Sequence, residues 1–193
     1  MRTMYIAKII GLSVVICVSM ITATLAEDAP SKTLVIWNTG VPTWAASVVD
    51  VSLRQKFRVV WEKKAVAVII ESNTVVELPE VPFDRVRVTV TRWVGKGGGL
   101  AEIQVFTNDT NIALARKTTA SAFLRPDYYP SRVTDGLVKK IERGVPLDCW
   151  RLPENTTGWI EVDLSTMDDG KVPRESGLNG PTMNTGKVHI RGY

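Results

Sequence analysis

Arg85-Val86-Arg87-Val88-Thr89-Val90-Thr91 alternates without a break, with the valines on one side and the arginines and threonines on the other. Successive side chains leave a pleated strand on opposite faces, so this period marks a half-buried antiparallel strand. Leu100-Ala101-Glu102-Ile103-Gln104-Val105-Phe106 and Trp159-Ile160-Glu161-Val162-Asp163-Leu164 read the same way. Leu34-Val35-Ile36-Trp37, Phe57-Arg58-Val59-Val60-Trp61 and Ala65 to Glu71 are further strand-like runs. Pro42, Pro79, Pro82, Pro126, Pro130, Pro146 and Pro153 fall between the runs, where a missing donor breaks no ladder. No long window beyond the N-terminus keeps a helical period. Short strands punctuated by Gly and Pro predict an all-β chain folded as a β-sandwich. Trp150 and Trp159 read as core residues. Thr166 to Gly186 reads as a long loop before a last short strand, Val188-His189-Ile190.

The chain has 193 residues, 45% hydrophobic and 23% charged, with a formal charge of +4, which excludes a disordered or disulfide-dense protein. Its Lys and Arg are scattered among acids, so nucleic acid is not an expected partner. Arg2 and Lys8 precede an uncharged, apolar run that ends in Thr24-Leu25-Ala26, small residues of the kind signal peptidase reads. Residues 1–26 are therefore expected to be a signal peptide, 27–32 a leader and 33–193 the folded domain. The mature chain is expected outside the cytoplasm, secreted, extracellular or periplasmic, with no transmembrane span after cleavage. Cleavage also removes Cys17 and leaves Cys149 alone, so no internal disulfide can form. Beside Trp150, Cys149 reads as a buried small apolar residue.

Catalytic templates fit poorly. Gly95-Lys96-Gly97-Gly98-Gly99 lacks the Gly-Lys-Ser/Thr ending of a phosphate loop, and a strand rather than a helix follows it. A hairpin loop is the expected structure. One His and one mature Cys cannot build a zinc site from soft ligands. Glu161 and Asp163 lie two apart on one strand face, whereas glycosidase carboxylates flank their substrate from opposing positions. The sequence carries no enzyme signature. The remote alternative is an accessory domain of a secreted glycoside-active enzyme.

A series of short motifs remains: Asn111-Ile112-Ala113-Leu114, Thr119-Ala120-Ser121, Tyr129-Pro130-Ser131, Asp135-Gly136, Trp150 and Trp159 to Leu164. It resembles the opening half of a discoidin (coagulation-factor C-type) domain, of the galactose-binding-like superfamily. Phe83-Asp84-Arg85-Val86-Arg87-Val88 and Leu100 to Phe106 resemble that family's closing half. The halves stand in reversed order, closing half 33–106 before opening half 111–164, with a loop-rich tail over 165–193. One circularly permuted domain, a junction of two tandem domains, or a truncated frame would each give this order. Neighbouring termini permit permutation. Thr107-Asn108-Asp109-Thr110 is the length of a turn. Separate half-domains would each expose an unpaired edge. The reading carried forward is one permuted galactose-binding-like jelly roll.

The resemblance implies a non-catalytic extracellular binding module, with a glycan or other cell-surface polymer as partner. The alternative is an exported protein-interaction or structural module without a small ligand, including a piece of a larger multidomain protein. It implies carbohydrate binding by Arg125, Asp127, Tyr128, Tyr129 and Trp93, because aromatic rings stack on sugar C–H faces while charged groups bond hydroxyls. It also implies a structural calcium at Asp135 and Glu102, helped by backbone oxygens around Arg132 and Gly136. Leu137 and Cys149 stand where the family often has polar residues, which leaves fewer oxygens. Without metal, Asp135 would cap its turn and Glu102 would pair with a basic side chain. Asn108-Asp109-Thr110 and Asn155-Thr156-Thr157 are glycosylation sequons.

Overall fold

The computed structural model describes residues 31–138, 141–142, 145–146 and 148–168. The signal peptide, most of the leader and the expected strand Val188–Ile190 lie outside the described residues. Two antiparallel sheets of five strands each form a β-sandwich. Sheet A consists of β1 (Lys32–Asn38), β4 (Asn73–Leu78), β6 (Gly99–Thr107), β7 (Thr110–Asn111) and β11 (Trp150–Arg151). Sheet B runs β3 (Arg58–Ala67), β2 (Trp44–Gln55), β5 (Arg85–Gly95), β12 (Gly158–Met167), β8 (Arg116–Ala120). A two-stranded ribbon pairs β9 (Ile141–Glu142) with β10 (Val145–Pro146).

The alternating run Arg85–Thr91 lies in β5, the middle strand of sheet B. Val86, Val88 and Val90 point inward and meet Val49, Val51 and Leu53 of β2 and Ile160 and Val162 of β12. Leu34, Ile36, Val76, Ile103 and Val105 close the same core from sheet A, with Leu164 packed at its margin. Strands from both reversed halves therefore share one apolar layer, and β5 lies directly beside β12 with Val88 opposite Ile160. Thr107 and Thr110 pair across the expected turn. Trp150 is fully buried, with its indole N–H donating to Ala122 O at 2.9 Å. Cys149 is buried in a second small cluster with Ala101 and Tyr128, its Sγ accepting from Arg151 Nε at 3.4 Å.

Three expectations are corrected. Trp159 is not core: it faces outward, half-buried, under the Arg87 guanidinium at 3.8 Å. The inward positions of β12 are taken by Ile160 and Val162, so its neighbour must point out. The Gly95–Gly99 segment is not a hairpin, because β5 belongs to sheet B and β6 to sheet A. It is an arch between sheets, with Gly97 to Gly99 buried and Gly95 and Lys96 exposed, tied to the segment after β11 by Leu152 N–H to Gly98 O and Asn155 N–H to Lys96 O, both 2.9 Å. Gly95 has φ 79°, and a Cβ there would lie 2.5 Å from Thr43 O, so no other residue fits. Finally, Arg58–Trp61 of the first run and Ala65–Ala67 of the second belong to one edge strand, β3, which leaves Phe57 in the preceding turn and residues 68–71 beyond it.

That strand is irregular. Val60 is an extra residue between the Leu53–Trp61 and Arg54–Val59 pairs, and Lys64 and Ala65 together oppose Asp50. Ala65 takes a left-handed φ of 54°, its N–H donating to Asp50 Oδ1 at 2.8 Å. Two β-bulges therefore twist the free edge of sheet B.

On the outer face of sheet B, Glu161 is almost completely covered by arginines. Its Oε2 accepts from Arg54 at 2.9 Å and Arg87 at 2.8 Å, and its Oε1 accepts from Arg85 at 3.4 Å. Arg85 also reaches Asp163 at 3.1 Å. The expected hydrogen-bonded carboxylate face is present, and it ties β2, β5 and β12 together.

Candidate functional site

The Asp135-Gly136 turn is placed by a short 3-10 turn, Pro130–Val133, whose proline fixes the first φ. Thr134 anchors it: its hydroxyl donates to Arg116 O at 3.0 Å, and its carbonyl accepts from Ala115 N–H at 2.7 Å. Asp168 N–H donates in turn to Ala115 O at 2.9 Å, which brings the end of β12 to the same place. Between these segments lies a groove of about 390 Å³ lined by Ala115, Tyr129, Ser131, Arg132, Thr134, Asp135 and Asp168. Phe123 braces the Tyr129 ring, with centroids 5.4 Å apart and planes tilted by 54°. Arg132 reaches Asp148 at 3.3 Å and Asp135 at 3.9 Å.

Glu102 reaches the back of this turn from β6. It stands opposite Trp37 of β1 and is fully buried. Oε1 accepts the Gly136 N–H at 3.2 Å, while Oε2 is buried with no hydrogen-bond partner among the described residues. Burial, with the Asp135 carboxylate adding repulsion, pushes the Glu102 carboxyl up to about 8, against the pull of the Gly136 N–H. Asp135 is also raised, chiefly by burial and secondarily by Asp148. The Leu137 N–H, which donates to Oδ1 at 2.9 Å, and Arg132 oppose the rise. The metal-free alternative holds only in part: Asp135 does cap its turn, but among the described residues no basic side chain pairs with Glu102.

Glu102 and Asp135 are the residues that would hold a hard cation here. An orphaned buried carboxylate oxygen beside a second carboxylate is an electrostatic deficit that a divalent ion would fill. Among the described residues no three Asp, Glu, His or Cys gather at one point. Backbone carbonyls near Arg132 and Gly136 would have to complete the shell.

The expected sugar residues divide into separate groups. Arg125, Asp127 and Tyr128 cluster: Arg125 Nε lies 3.3 Å from Asp127 Oδ2, and its NH2 group donates to the Tyr128 hydroxyl at 3.2 Å. Tyr128 is only 2% exposed, with the buried Arg151 guanidinium 4.0 Å over its ring. Tyr129 instead faces the groove. Trp93 stands on β5 opposite Ala46 and packs against the main core. Sequence reasoning missed Ser131, Thr134 and Asp168 as groove residues. The polar run Ser131 to Gly136 carried a signal for the first two; Asp168 joins only through the fold. No protein-family model, curated protein or solved structure matches the chain.

Proposed function

We propose that the chain is an exported, non-catalytic binding module that takes a carbohydrate in the groove beside Tyr129. The observation that carries this reading is the pairing, in one groove, of a braced aromatic ring with a guanidinium, carboxylates and hydroxyls. A ring face suits the apolar side of a pyranose, and the polar groups suit its hydroxyls. Arg125 and Asp127, exposed on the preceding turn, extend the polar chemistry. In this reading Glu102 and Asp135 hold a calcium ion together with backbone oxygens of Arg132 and Gly136. The ion would neutralise two crowded carboxylates and stiffen the floor of the groove. The discoidin-type, permuted jelly roll belongs to the same reading, supported by the core that the reversed halves share.

The second reading is an exported protein-interaction module. It is favoured by the β2–β3 hairpin, where Phe57 is 82% exposed and Val59 56%. One experiment separates the two. The secreted chain is screened on a glycan array in millimolar calcium and again in EDTA, with Tyr129→Ala and Phe57→Ser alongside. Sugar binding lost at least tenfold in Tyr129→Ala and retained in Phe57→Ser is the expected result. No glycan bound under either condition would remove the carbohydrate reading.

A further inference from the structure

The two sequons lie at opposite ends of β6. Asn108 occupies the turn between β6 and β7, with φ 53°. Asn155 lies in the loop between β11 and β12, with φ 55°. Both asparagines are exposed. The left-handed backbone accounts for asparagine at these positions, since Asn visits that region more readily than other L-residues. It does not account for a threonine two residues later in both. Thr156 donates to Pro153 O at 2.8 Å, so it secures the second loop, whereas Thr157 is exposed at the following position.

We propose that Asn108 and Asn155 are acceptors for N-linked glycans, a modification that rests on the export part of the reading above. The donor class is a lipid-pyrophosphate-linked oligosaccharide. The asparagine amide nitrogen attacks the anomeric carbon, a C–N bond forms and the C–O bond to phosphate breaks. The lipid pyrophosphate leaves with the electron pair, and the amide proton passes to the transferring enzyme's base. No redox partner is needed. Asn155 and Thr157 belong to a loop outside any ladder, whereas Thr110 is paired with Thr107, so Asn155 stays the more accessible acceptor once the sandwich has closed. Nine residues of β6 separate the two ends, roughly 30 Å of strand.

The test is translation of the full chain with rough microsomes, followed by protease protection and treatment with an N-glycan amidase. A protected chain with two amidase-sensitive mass steps is expected. Thr110→Ala and Thr157→Ala should each remove one step while keeping the asparagine that its turn requires. A protected chain with no step overturns the acceptor assignment and leaves export intact. A chain neither protected nor shifted overturns both. Steps that persist in the two threonine variants also overturn the assignment.

Discussion

Among the described carboxyls, the environment of Glu102 departs furthest from water. Its folded carboxyl holds a proton up to about 8, while an unfolded one releases it near 4.5. The folded state therefore binds the extra proton across that window, and the metal-free protein should lose stability as pH rises through it. Glu102→Gln keeps the acceptor for Gly136 but cannot ionise. It should flatten this limb in thermal melts and leave the variant more stable than the parent chain at and above pH 8, where the parent must ionise a buried carboxyl. In the calcium reading, millimolar calcium should raise the melting temperature of the parent chain by mass action, and Asp135→Ala or Glu102→Gln should abolish the rise. A melting temperature indifferent to calcium and EDTA would remove the ion. Asp163 titrates the opposite way. Burial pushes its carboxyl up, but the Ser165 hydroxyl and N–H, then Arg85, bring it below 3.8, so its contribution is lost only as pH falls below that value. Glu161→Ala should cost about 2–3 kcal/mol in urea unfolding, less than a fully buried pair because its arginines keep 18–30% of their surface.

The strands were legible wherever period two ran unbroken. β5, β6 and β12 follow from their valine, isoleucine and leucine alternation alone. β2 carries the same pattern in Val49-Asp50-Val51-Ser52-Leu53-Arg54, but the preceding Trp44-Ala45-Ala46-Ser47-Val48 breaks the rhythm and hides it. The break is physical: Ser47 is an extra residue between the Ala46–Trp93 and Val48–Arg92 pairs. β3 was read as two runs for a similar reason, since bulges at Val60 and Ala65 each shift the parity. The groove was not legible, because Tyr129, Asp135 and Asp168 meet only through hydrogen bonds that converge on Ala115 and Thr134. The glycine arch shows how composition misleads: glycine marks close packing here as much as freedom. Gly95→Ala should destabilise the chain by about 2 kcal/mol or more, since it strains φ and drives a methyl into the Thr43 backbone. Calorimetry would check this, and an unchanged melting temperature would mean that the arch can shift aside.

At the scale of the whole molecule, the inner faces of β5 and β6 are completed by strands that come later in the chain. β12 lies beside β5, and β11 beside β6. The core should therefore melt in one two-state transition, with circular dichroism and tryptophan fluorescence coincident in urea. Cutting the chain between Thr107 and Asn111 and separating the pieces should leave neither folded, whereas an independently folded piece would show two units in tandem. The irregular edge of sheet B has a consequence for behaviour in crowded solution. A ten-residue strand with Val59 and Val60 exposed is the kind of border along which identical chains stack into fibres. The kinks at Val60 and Ala65 spoil that template, and Glu62, Lys63 and Lys64 guard it. Deleting Ala65 would straighten this border, and the variant should form thioflavin-positive fibrils at concentrations where the parent chain stays clear.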